Sequence, residues 1–203
     1  MSMKQMRINR LIARVSLAVA VVAASSCGDV VRTGRSPVML VMNSLSGGTA
    51  TSAAPFLSDV IRRVALSCTP GAAPCVLADP GVASLAVVSK DVTLTPTTNN
   101  AVTVNRYRVV FRRADGHNIE GVDVPYAFDG AVTATIAAGA TGSVGLVLVQ
   151  STAKRETPLV QLTSNPEASL STIADVTFYG QDQVGNEISV TGSILINFGD
   201  FPG

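Results

Sequence analysis

Polar and apolar residues alternate most clearly between Val102 and Arg113, where Tyr107, Val109 and Phe111 fall on one face and Arg106, Arg108 and Arg112 on the other. Side chains of a strand point to opposite faces with a period of two, so this pattern predicts a strand buried on one side and wet on the other. Asn105 interrupts the alternation between Val104 and the rest. Val38–Met42, Ser84–Ser89 and Val144–Val149 are shorter apolar runs, each predicting a buried strand. Ala131–Ala137 sets Val132, Ala134 and Ile136 against Thr133 and Thr135. Leu159–Leu162 is too short to assign from its pattern. Leu57, Val60, Ile61 and Val64 have helical spacing, Pro55 suits a first helical turn, and this is the one helix expected beyond the N-terminal segment.

The punctuation between these runs is loop chemistry: 47–52, 95–100, Ala114–Asn118, Asp129-Gly130 and 139–142. Near the C-terminus, Ile173–Tyr179 and Ile188–Phe198 flank Gly180–Asn186, whose glycines and asparagine suit the left-handed backbone of a hairpin turn. Seven to nine short strands without a long helix indicate an all-β fold, an antiparallel β-sandwich over residues 37–203. The stretch Thr177–Thr191, with its Phe-Tyr-Gly strand, Asp182 and Gly-Asn turn, resembles the last hairpin of bacterial immunoglobulin-like repeats. That resemblance implies an Ig-like, Greek-key arrangement of the kind found in extracellular spacers, adhesion elements and domains appended to enzymes. It implies architecture rather than activity.

The first 26 residues follow a different rule. Lys4, Arg7, Arg10 and Arg14 form a basic start, then Val15–Ala24 is a ten-residue apolar run, followed by Ser25, Ser26 and Cys27. A lasting transmembrane helix needs about 20 apolar residues, whereas a signal-peptide core needs about half that. Ala24-Ser-Ser-Cys27 resembles the lipobox of bacterial lipoprotein signal peptides, with Ala24 and Ser26 at positions where leucine and glycine or alanine are commoner. The resemblance implies removal of residues 1–26 and acylation of Cys27, including the diacylglycerol and palmitate-type chains of that family. Residues 27–36 then read as a short tether, reaching about 30 Å at most when extended. The expected address is the bacterial cell envelope, exported and lipid-anchored, with no choice between inner and outer membrane. A soluble signal peptide of the Ala-x-Ala type and an uncleaved anchor are the competing readings.

Removing the leader changes the charge. The whole chain is +1, but the leader holds four basic residues and no acid, leaving 11 basic against 14 acidic residues, about −3. A weakly acidic surface has no electrostatic footprint for nucleic acid. Tryptophan is absent and aromatics are 4% of the chain, so no stacking platform for bases or sugars is expected.

With Cys27 assigned to lipid, Cys68 and Cys75 remain as an even pair around a turn-rich Pro-Gly loop. That favours a disulfide in an oxidising compartment. Free thiols and a metal pair are the alternatives, the latter short of ligands because His117 is the one histidine. A catalytic triad would have to use His117, which sits in an Asp-Gly-His-Asn turn typical of solvated loops. No nucleophile elbow or phosphate loop occurs, so no enzyme and no cofactor are expected. Two oxygen-rich clusters, Asp115/Asn118/Glu120 and Asp182/Asn186/Glu187, are candidates for calcium, although such residues more often build Asx turns. The Arg106/Arg108/Arg112 stripe offers a grip on an anionic partner, with cross-strand pairing to Asp or Glu as the alternative. The expectation is therefore a non-catalytic structural or protein-interaction module on a membrane-anchored lipoprotein, its partner an envelope protein or glycan; the alternative is calcium or acidic-ligand binding at loops 115–120 and 181–187.

Overall fold

The computed structural model describes residues 35–48, 55–61, 75–93 and 95–201. Eight strands follow in chain order: β1 (Val38–Gly47), β2 (Phe56–Asp59), β3 (Asp79–Ser89), β4 (Val102–Arg112), β5 (Phe128–Ile136), β6 (Thr141–Val149), β7 (Ser169–Asp182) and β8 (Glu187–Gly199). They form a three-stranded sheet in the order β1-β3-β6 and a five-stranded sheet in the order β2-β8-β7-β4-β5. The two sheets pack into a β-sandwich, as the alternation of the sequence predicts. The core lies between them: Leu40, Leu85, Val87, Val144 and Leu148 from one side meet Val104, Val109, Val176, Ile194 and Ile196 from the other. Aromatic rings fill its middle. Tyr107 lies 6.0 Å from Phe178 and 6.4 Å from Phe128, and Phe111 lies 6.1 Å from Phe198.

The β7–β8 hairpin is the longest ladder, running without a register break from Ser169↔Gly199 to Gln181↔Glu187. Along β7 every second residue from Leu170 to Asp182 is turned inward, so one face of the strand supplies the core continuously. At β4 the alternation needs help. Asn105 and Arg106 are both exposed, yet Val104 and Tyr107 are both buried. A bulge resolves the conflict: Val104 pairs with Gly180 but Arg106 pairs with Tyr179, so Asn105 is an extra residue against β7. One inserted residue flips the facing of everything beyond it, and here it restores the inward phase.

Two expectations from the sequence are corrected. Residues 55–61 are not helical; Phe56–Asp59 is a short strand pairing in parallel with Ile196–Gly199, and Val64 lies outside the described residues. Four residues that can complete the edge of an existing sheet gain backbone partners at once, which an isolated short helix cannot. The same pairing makes the larger sheet mixed rather than wholly antiparallel. Asp129-Gly130 is not a turn either, since β5 begins at Phe128 and runs through both residues. Gly130 is small for a packing reason: a Cβ there would stand 2.2 Å from the Tyr107 ring, which crosses it. The Tyr107 hydroxyl then accepts the Val147 N–H of β6 at 3.0 Å, so one side chain of the five-stranded sheet satisfies an edge of the other. Leu159–Leu162 forms a single helical turn.

The chain enters β1 at the end of the sandwich that carries the β7–β8 turn. Ser36 is buried there, its hydroxyl accepting the Val38 N–H and hydrogen-bonding the Asp182 carboxylate. Ser36 thus belongs to the packed domain, and residues 27–34 of the expected tether lie outside the described residues.

Glycines of the two sheets differ in what surrounds them. At Gly180 an added Cβ would meet the Thr103 carbonyl oxygen at 2.6 Å, a backbone atom of the adjoining strand β4, whereas at Gly145 nothing lies within 4 Å. Gly180→Ala is expected to destabilise the domain by about 1–3 kcal/mol through forced backbone movement. Gly145→Ala is expected to be neutral or slightly stabilising. Urea denaturation of the two variants side by side checks the contrast, and equal midpoints would contradict it.

Candidate functional site

The outer face of β4 carries the arginine stripe, and each guanidinium has a carboxylate. Arg106 and Arg108 both reach Asp129 on β5, at 3.0 and 2.6 Å, and Arg112 reaches Asp175 on β7 at 2.6 Å. Arg106 also lies over the Tyr179 ring, 4.1 Å from its centre. Strand pairing explains the choice of partners, because Arg108 stands directly opposite Asp129. These are cross-strand ion pairs on a wet face, screened by solvent and therefore weak contributors to stability. Beside them the bulge leaves a hollow of about 410 Å³ lined by Asn105, Arg106, Tyr179, Gln181, Glu187 and Ser189.

The two oxygen-rich loops are built as Asx turns. In the first, Asn118 Oδ1 accepts the Arg113 N–H at 2.6 Å, and Asp115 takes the His117 N–H together with the Arg113 guanidinium. That guanidinium holds the Asp115 carboxyl below its ordinary range. The backbone of Glu120 forms an isolated bridge with that of Val124. The His117 imidazole is largely in solvent, 3.6 Å from Asp115. In the second loop Asp182 is buried at the mouth of the hairpin, its Oδ1 accepting the N–H groups of Val184 and Asn186 at 3.1 and 2.8 Å, and its Oδ2 accepting the Asn186 side-chain amide at 2.7 Å. The side-chain oxygens of Asp115, Asn118 and Asp182 thus accept hydrogen bonds from the protein's own donors. Among the described residues no three His, Cys, Asp or Glu side chains are grouped to hold a metal ion.

A third cluster escapes the sequence entirely. Lys154, on a helical turn (Ala153–Arg155) just after β6, is one of the most deeply buried side chains of the domain. Its Nζ donates to Asp79 Oδ1 at 2.9 Å and to the Asp59 carbonyl at 2.8 Å. The other carboxylate oxygen, Asp79 Oδ2, accepts the Ser58 hydroxyl at 2.5 Å, and Ser58 is fully buried. The cluster joins β2 of the larger sheet, β3 of the smaller sheet and the turn after β6 at one end of the sandwich. A cavity of about 320 Å³ opens against it, lined by Phe56, Leu57, Leu77, Pro80 and the Asp79–Lys154 pair. Burial pushes the neighbouring Asp59 carboxyl up from its ordinary range, with the nearby Asp200 adding to the effect. In the sequence, Lys154 sits in Thr-Ala-Lys-Arg-Glu, a run of polar residues that reads as a solvated loop. Nothing local marks it for the interior.

Cys75 is not a free thiol, while Cys27 and Cys68 lie outside the described residues. Among the described residues no helix is long and apolar enough to cross a membrane.

No protein-family model matches the chain, and no curated protein sequence matches it. Among solved structures it is similar to the X-ray structure of Northeast Structural Genomics Consortium target SoR45, at 9% identity and a TM-score of 0.36, over 82% of this chain and 89% of that one.

Partial burial pushes Asp182 toward higher pKa, but the hydrogen bonds from the Asn186 side chain and backbone, from Ser36 and from Val184 outweigh it, and the net shift is downward. A carboxyl whose folded pKa is depressed adds stability that is present above its unfolded value, about 3.9, and is lost as pH falls through the lower folded value. Asp182→Asn is therefore expected to be less stable than the parent at pH 7 and to lose less stability between pH 5 and pH 2. Thermal melts of both proteins across that range test this; parallel curves would contradict it.

Proposed function

We propose that this chain is an exported lipoprotein, held on the bacterial cell envelope by acyl chains on Cys27, whose β-sandwich acts as a non-catalytic structural or protein-interaction module. The observation that carries the reading is the order of the first 27 residues: a basic start, a ten-residue apolar run, two small residues and then cysteine. Two acyl chains or more hold a protein stably on a bilayer where one is marginal. With Ser36 packed into the domain, the stretch left between lipid and sandwich is residues 28–35, about 25–30 Å at full extension. A Cys68–Cys75 bridge in an oxidising compartment and an Ig-like arrangement of the sandwich belong to the same proposal.

The pairing of polar side chains also supports a scaffold. The three arginines of β4 are matched to Asp129 and Asp175, and the oxygens of Asp115 and Asp182 to turn amides. An acid or base held for turnover is poised for a substrate rather than spent on its own loop.

The test is mass spectrometry of the protein extracted from its native envelope. The expected product starts at Cys27 and carries diacylglycerol on its sulfur, and Cys27→Ser moves the protein out of the membrane fraction. A product that keeps Met1, or that has an unmodified Cys27, overturns the reading.

A further inference from the structure

The Lys154–Asp79 pair sets a buried amine against a partly buried carboxyl at one end of the sandwich. Lys154 is 2% exposed, and its Nζ lies 2.9 Å from Asp79 Oδ1. Ser58, 0% exposed, directs its hydroxyl at the opposite oxygen of the same carboxyl at 2.5 Å. Burying the Lys154 ammonium carries a desolvation cost, and a neutral amide in place of the ion pair removes it. A neutral amine is a nucleophile, and one fixed in contact with a carboxyl reacts with the advantage of an intramolecular partner.

We propose that Lys154 and Asp79 condense to a covalent side-chain amide, so that the mature domain is cross-linked between the turn after β6 and the start of β3. The steps balance within the residues present. The ammonium gives one proton to Asp79 Oδ1, leaving an amine and a carboxylic acid. The nitrogen attacks Cγ, and negative charge gathers on Oδ2, where the Ser58 hydroxyl donates its hydrogen bond. The Cγ–Oδ1 bond then breaks, and the departing hydroxyl takes a second proton from the nitrogen. One C–N bond forms, one C–O bond breaks, one water leaves, and nothing is oxidised or reduced. The adjoining cavity, lined by Asp79 and Lys154 themselves, gives that water an exit.

Peptide mapping of the native full-length protein tests this directly. After denaturation, reduction and complete trypsin digestion, an unmodified chain releases Val64–Lys90 and a peptide ending at Lys154 as separate species. The cross-linked chain instead gives Val64–Lys90 joined to Ala114–Arg155, lighter than their sum by one water, because trypsin does not cleave after an acylated lysine. Lys154→Arg is expected to abolish the joined species completely, and Ser58→Ala to leave a mixture in which the joined fraction falls severalfold. Finding wild-type Lys154 and Asp79 only in separate peptides would overturn the proposal and leave the pair as a buried ion pair. Complete joining in Ser58→Ala would overturn the part given to the serine.

Discussion

Every inward side chain of β4 beyond Val104 depends on one residue being left out of the ladder at Asn105. Without the bulge, Tyr107, Val109 and Phe111 would turn to solvent and Arg106, Arg108 and Arg112 would face the core. Burying three arginines without partners costs far more than a local break in two ladders, so the break wins. β4 lies between β7 and β5, and its phase therefore fixes how the arginines meet Asp129 and Asp175 on the outer face. The same break sets the Asn105–Arg106 hollow beside Tyr179 and Gly180. Gly180 has no room for a side chain because the Thr103 carbonyl oxygen would stand 2.6 Å from its Cβ.

The two sheets are held to each other by more than apolar contact. Tyr107 reaches across to the Val147 N–H on one flank, and the Lys154–Asp79–Ser58 cluster closes one end. The first is a large apolar body with a polar tip, which can sit in a core and still satisfy a backbone donor at its margin. The second brings side chains from three separated segments of the chain, Ser58, Asp79 and Lys154, into one hydrogen-bonded group. Both replace a backbone partner that the edge strands and the turns lack.

Much of this was legible beforehand because it is periodic. The strand at Val102–Arg112 and the β7–β8 hairpin declare themselves through strict alternation and through Gly-Asn turn chemistry, which depend on neighbours in sequence. Asn105 stands in the sequence only as a break in the alternation, and the bulge that absorbs it becomes visible with the strand pairing. What stayed hidden depends on distant partners. Phe56–Asp59 is a strand because β8 offers an open edge, and its helical spacing is incidental. Asp129-Gly130 reads as a turn pair, yet glycine is there to pass beneath Tyr107 and aspartate to meet two arginines. Lys154 is the extreme case, since its two hydrogen-bond acceptors are 75 and 95 residues away in the chain.

Entry of the chain at Ser36 settles how the domain meets a mechanical load. A pull on the segment before Ser36 is transmitted along β1, an edge strand whose hydrogen bonds to β3 run from Val38↔Ser89 to Gly47↔Gly81. Those bonds lie across the strand. When the resisting load is at the opposite end of the sandwich, the ladder is therefore sheared as a whole instead of being unzipped one rung at a time.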